Sequence, residues 1–144
     1  MHFPGSVPSS VALDKVNTIL FNSGFTPTNT LFACSVCVDE INHEEDDITC
    51  LLKSSWGECF YLGGLAGVPF VGKTGFGAFS HHCPEDGNLF ILFAPHVGIS
   101  PDGEIGKYAR EGQSGLDSAC GAAVGAWKTI CANPPVVGEV LDSD

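Results

Sequence analysis

At 144 residues and 44% hydrophobic content, the chain is the size of one domain with its own core, which excludes disorder and a disulfide-stapled miniprotein. A formal charge of −11 with only six basic residues excludes a basic stripe for phosphates, and with it nucleic acid as a partner. No apolar run reaches membrane-spanning length and no charged-then-apolar leader opens the chain, so no membrane insertion is expected.

Residues 9–24 predict an amphipathic helix. Ser9 or Ser10 caps it, Ala12, Leu13, Val16, Ile19 and Leu20 form its apolar stripe, and Gly24 ends it. Residues 30–38 are a short apolar run between Pro27 and Asp39, suited to a buried strand. The acidic stretch Glu44–Asp47 runs into Ile48, Leu51 and Leu52, as acid does at the start of a helix. Six glycines between Cys59 and Phe79 predict strand, turn and strand, with backbone packed closely against a neighbour. Residues 88–94 are the clearest buried strand. Pro101-Asp102-Gly103 predicts a turn joining 96–100 to 104–110 as a hairpin. Ser114 to Asp117 reads as a capping box opening a helix over 116–132, whose small residues suit close packing against the sheet. Asn133-Pro134-Pro135 stops it, and an acidic tail follows from about residue 135. Strands and helices alternate without a repeat or a linker. The expectation is a single α/β domain over 1–144, with a mainly parallel central sheet and flanking helices.

Residues 67–74 match the nucleotide-binding pattern GxxxxGK[ST] through Gly67, Gly72, Lys73 and Thr74. That chemistry requires a helix directly after the loop, and Gly75 and Gly77 oppose a helix start. A P-loop nucleotide binder is therefore a distant alternative.

Seven cysteines are an odd set, which leaves a free thiol and suits a reducing compartment. Cys34 and Cys37 form a CxxC, but strand alternation sends them to opposite faces. Cys37 and Asp39, two apart, share one side at the end of the first strand. His96 follows the strongest strand, and ligand sites of parallel sheets lie beyond such carboxyl ends. Cys120 falls in the first turns of the last helix, where the dipole favours a thiolate. Three such ligands leave a catalytic zinc its fourth position. From spacing alone, buried cysteines and a hydrogen-bonded histidine account for the same residues as well as a metal site does.

The segments CSVCVDEIN, YLGGLAGVPFVGKTGFGAFSHHCPEDGNLFILFAPHVGISPDGEIGKYAREGQ and SACGAA resemble the limiting-CO2-inducible B proteins, a θ-class carbonic anhydrase family with a β-class-like fold. The resemblance runs from about His2 through the last helix. It implies a dimer and a zinc ion on Cys37, His96 and Cys120 that converts carbon dioxide to bicarbonate through metal-bound hydroxide. It also implies a plastid or another carbon-concentrating setting. Asp39 matches the aspartate that either orients the hydroxide or occupies the fourth site. In the β class that aspartate pairs with an arginine two residues later, where this chain has Ile41. Arg110, the sole arginine, is the substitute this sequence offers. His81, in a family-like segment, is a candidate proton shuttle. Phe76, Phe79, Phe93 and the glycines around 63–67 are candidates for a dry pocket. A catalytically silent zinc-binding homologue, acting in carbon dioxide or bicarbonate sensing or in assembly with a relative, is the alternative reading.

Overall fold

The computed structural model describes residues 3–42, 46–69 and 71–134. Its centre is β1, Thr30–Val36, buried along nearly its whole length. Apolar side chains on both faces of a strand require cover on both faces, and this chain supplies it with helices. Helix α1, Ser9–Asn22, precedes β1, and α2, Ile48–Trp56, follows it. Strand β2 is only Phe60–Tyr61, and α3, Gly72–His81, leads from it to β3, Asn88–Ala94. The sheet order is β2-β1-β3, all parallel, with Thr30 opposite Asn88 and Val36 opposite Ala94.

One face of β1 presents Phe32 and Cys34, which pack with Leu52 and Trp56 of α2, Leu13, Val16 and Leu20 of α1, and Phe90 of β3. Phe32 and Phe90 stack with ring centroids 5.0 Å apart, and the Trp56 indole donates to Asn17 at 2.8 Å, so its polar edge is satisfied inside the core. The other face presents Ala33, which packs with Leu62 and with Phe79 of α3. Burying such side chains fully is worth about 1.5–3 kcal/mol each, so the alternation along β1 fixes its register.

Several expected boundaries move, each for a physical reason. Pro8, not a serine, stands at the N-cap of α1, where its missing N–H costs nothing. Asp47 caps α2 as the acidic stretch implied, accepting from the Cys50 N–H at 2.8 Å. Residues 72–81 form a helix rather than the expected strand. Burial of Phe79 outweighs the cost of the glycines, and a Cβ on Gly75 would stand 2.6 Å from the Val71 Cβ, so that position needs glycine. The final helix, α4, begins at Gly121 and ends at Ala132. Residues 117–118 are instead strand β5, paired antiparallel with β4, Lys107–Tyr108. The expected hairpin closes through an antiparallel bridge between Ile99 and Ile105, and 107–108 then turn to β5. Helix α4 has no buried residue and lies against residues 65–67 and β5, rather than packing into the core of the central sheet as its small residues suggested. The acidic tail from about 135 lies outside the described residues, as do His43, Glu44, Glu45 and Phe70.

Candidate metal centre

Chain direction reverses between β1 and β3, since β1 connects outward to β2 and β2 crosses back over β1 to reach β3. A crevice opens at such a reversal, beyond the carboxyl ends of the strands. Cys37 stands one residue beyond β1 and His96 two residues beyond β3, so both enter that crevice. Cys120 arrives from further along by a woven set of backbone bonds. The Gly98 N–H donates to the Ala119 carbonyl at 3.0 Å, the Gly106 N–H to the Gly98 carbonyl at 2.8 Å, and the Ala119 N–H to the Gly106 carbonyl at 3.0 Å. A Cβ on Gly98 would meet the Ala119 Cβ at 2.7 Å, so the bare backbone there is what lets the Cys120 segment approach.

The ligand atoms of Cys37, His96 and Cys120 all lie within 4.8 Å of one another, and both cysteines are buried. The two sulfurs are 3.8 Å apart. Two thiolates about 2.3 Å from one tetrahedral ion stand at about that separation. The His96 Nε2 is buried with no hydrogen-bond partner among the described residues, a costly condition unless something fills the space it faces. These three side chains could therefore hold a metal ion. Cys120 is the N-cap of α4, not a residue of its first turns, and this places its sulfur at the positive end of the helix dipole. The Ala66 N–H donates to the Cys37 sulfur at 3.1 Å. Cys34 faces the opposite side of β1, 3.4 Å from the Cys59 sulfur, and burial pushes its thiol up to about 12.

Asp39 lies at the edge of this cluster, with Oδ2 4.0 Å from His96 Nε2. Arg110 reaches it from the segment after β4, its Nη2 3.0 Å from both Asp39 oxygens, while its Nε donates to Glu40 at 2.7 Å. The guanidinium thus stands where Ile41 does not supply a partner. Burial pushes the Asp39 carboxyl up, but its polar contacts, led by the hydrogen bond from Arg110 and including the Ile41 N–H and the guanidinium charge, hold the carboxyl below its ordinary value. Hydrogen bonds to Glu40 and then to Asp39 raise Arg110 further above its already high value.

His81 is not brought to the cluster. It ends α3, which starts at the site end of the sheet and runs back toward the amino ends of the strands, and it is exposed there. Phe79 belongs to the core beside Ala33 and Leu62, and Phe76 and Phe93 are substantially exposed, so they form no pocket over the cluster. Of the expected pocket only the glycine-rich segment contributes: residues 64–68 and α4 enclose an apolar groove of about 830 Å³, lined by Val38, Leu65, Ala66, Val68, Trp127 and Ile130 among others. Sequence reasoning missed three contributors: Glu40 as the second partner of Arg110, the Ala66 amide, and Asn42. The Asn42 Oδ1 lies 2.8 Å from His96 Nδ1, and its Nδ2 donates to the carbonyls of Cys37 and Asp39, each at 3.2 Å. An asparagine five residues after a cysteine carries no signal that separates it from an ordinary turn residue.

The GxxxxGK[ST] match does precede a helix, which removes the ground on which it was set aside. Its loop amides are nonetheless engaged within the loop, Gly67 N–H to the Gly64 carbonyl at 3.1 Å and Val68 N–H to the Leu65 carbonyl at 3.3 Å. Gly67 itself is packed onto the strand ends, where a Cβ would stand 3.2 Å from Cys37 N. A phosphate cradle needs those amides free and converging.

A family described as limiting CO2-inducible proteins B/C beta carbonic anhydrases matches residues 6–136. The solved structure of PtLCIB4, a homolog of the limiting CO2-inducible protein LCIB, is similar with a TM-score of 0.78 and 34% identity, covering 94% of this chain and 57% of that one. The structure of the limiting CO2-inducible protein LCIB itself is similar with a TM-score of 0.65 and 23% identity, covering 99% of this chain and 57% of that one, and this shows likeness of fold alone. This chain therefore spans little more than half the length of either. No protein with a curated description matches. No helix among the described residues is long and apolar enough to cross a membrane. With its parallel sheet, its Cys–His–Cys cluster and a match over nearly all of its length, the chain belongs to the limiting CO2-inducible B/C family of beta carbonic anhydrases.

Proposed function

We propose that this chain is a zinc-dependent carbonic anhydrase, one zinc-binding domain that holds the ion on Cys37, His96 and Cys120 and interconverts carbon dioxide and bicarbonate. The observation that carries this reading is the convergence of three ligand atoms within 4.8 Å beside an aspartate clamped by an arginine. Two sulfurs and an imidazole are a zinc donor set, and Asp39 held by Arg110 leaves a fourth position open. Zinc bound there would supply the Lewis acidity that makes water a nucleophile toward carbon dioxide near neutral pH.

The chain's own residues supply orientation and charge. The ionised Asp39 carboxylate is acceptor-only, so it takes the proton-bearing side of the attacking water and leaves a lone pair directed at carbon. Arg110 holds both carboxylate oxygens and would keep Asp39 from closing onto a bound ion. The released proton passes to solvent past Glu40, which is 71% exposed, rather than through His81 at the other end of α3. A second copy of the chain belongs in this reading as partner, and a plastid or similar carbon-concentrating compartment as location, both from the family resemblance.

Ile41 in the place of an arginine motivates the silent zinc-binding alternative, and Arg110 against Asp39 supports the enzymatic reading over it. The test is stopped-flow hydration of carbon dioxide by metal-quantified protein, before and after a chelator. Turnover that the chelator abolishes and added zinc restores is the expected result. Protein carrying one zinc per chain with no turnover would sink the enzymatic reading and leave the silent one.

A further inference from the structure

We infer that Asn42 is a positioning residue of the metal centre: it fixes the tautomer and ring plane of His96, so that Nε2 meets the ion with its lone pair. This rests on the zinc reading above and adds a determinant of metal affinity that is not itself a ligand.

The assignment follows from what an amide can do. Its oxygen only accepts and its NH2 only donates. The Nδ2 side of Asn42 lies 3.2 Å from two carbonyl oxygens, those of Cys37 and Asp39, and carbonyls only accept. The NH2 must therefore face them, and the amide cannot be flipped. The oxygen is then committed to His96 Nδ1 at 2.8 Å, and the group there must be an N–H. A neutral imidazole has one such proton, so Nε2 is left bare. Nε2 is the atom buried without a partner among the described residues, 4.0 Å from Asp39 Oδ2, and with Nδ1 engaged by Asn42 it is the nitrogen left to face the cluster. The opposite tautomer would set two acceptors against each other at Nδ1 and aim an N–H at the ion. Asn42 also joins two of the three arms of the site, the loop after β1 that carries Cys37 and Asp39 and the loop after β3 that carries His96. A cavity of about 350 Å³ lies beside it, lined by Ser9, Asp46, Thr49 and Pro95 among others, so a different side chain at 42 has room to turn.

Two roles are to be separated: setting the imidazole, and merely bracing the turn through the Cys37 and Asp39 carbonyls. Asn42→Asp keeps an acceptor for Nδ1–H and loses both donor bonds. Asn42→Leu keeps the shape and loses everything. Zinc affinity measured by competition with a chromophoric chelator is expected to fall about 10–100-fold in Asn42→Leu, the range usual for partners of metal-bound histidines. Asn42→Asp is expected to recover to within about threefold of the parent, as a carboxylate partner does at other metal-bound histidines. Equal losses in both variants would reduce Asn42 to a turn brace, and parental affinity in both would remove it from the site. The second readout is the long-range 1H–15N correlation spectrum of the metal-free parent, with His96 assigned by its absence in His96→Gln. An Nδ1–H tautomer is expected, and an Nε2–H tautomer there overturns the inference without any variant having to fold. That spectrum also judges Asn42 if the parent binds no zinc, in which case the carbonic anhydrase reading fails by itself.

Discussion

Asp39 and Arg110 stand 71 positions apart in the chain, yet one guanidinium nitrogen lies 3.0 Å from both carboxylate oxygens. The planar fork lets Arg110 bridge Glu40 through Nε at the same time, a geometry no lysine reproduces. Arg110→Gln is therefore expected to lower kcat/KM for carbon dioxide hydration by about 10–100-fold while zinc stays at one per chain, because the arginine orients Asp39 and touches no ligand. Arg110→Lys should do little better. A Gln variant with the parental rate would mean that Asp39 needs no clamp. The two cysteines of the CxxC show how little spacing decides at this scale. Cys37 points into the cluster and Cys34 into the core, because successive strand side chains alternate and three steps reverse the face.

Between β2 and α3, the glycine-rich segment is the element that seals the site. A Cβ on Gly63 would stand 2.3 Å from the Val36 carbonyl and 2.7 Å from its nitrogen, backbone atoms that cannot yield without moving β1. The Gly67 carbonyl accepts from Ser35 Oγ at 2.7 Å, and Ala66 between them bonds the Cys37 sulfur. Gly63→Ala is expected to cost about 1–3 kcal/mol, as overpacking does, and to weaken zinc binding as the Ala66 amide is pushed away. Thermal denaturation beside a zinc titration reads both, and a stable variant with parental zinc affinity would show that this loop only covers the sheet. Strand β1 was legible because a doubly covered strand is a continuous apolar run. Residues 88–94 carry such a run too and do form β3, but at the edge of the sheet, with Ile91 and Phe93 exposed rather than buried as expected. Helix α3 was not legible, since its glycines lower local helix propensity and the burial that decides the matter comes from Ala33 and Leu62, far away in sequence. The start of α4 was misplaced for a related reason: residues 117–118 have a strand partner in 107–108, which overrides the capping pattern at Ser114.

At the scale of the molecule, α4 is the unfinished surface. Trp127 is 67% exposed, and with Leu65, Val68 and Ile130 it lines a groove whose wall is almost wholly apolar. Patches of this kind mark association surfaces. In the dimeric reading Trp127→Glu is expected to turn a dimer into a folded monomer, seen by light scattering and circular dichroism. A parent chain that is monomeric at micromolar concentration would remove that reading. The sequence by itself determined the class of the fold, the strands β1 and β3, and Cys37, His96 and Cys120 as a set that could hold a metal, with Asp39 beside it. These depend on local pattern, on the rule that sites open beyond parallel strand ends, and on a resemblance that quoted motifs carry. Only the tertiary structure decided that Arg110 replaces the absent neighbour of Asp39, that Asn42 holds His96, that His81 lies at the far end of the sheet, and that α4 stands clear of it. Each of those is a contact, or the lack of one, between segments distant in sequence, fixed by which backbones can approach where glycine leaves room.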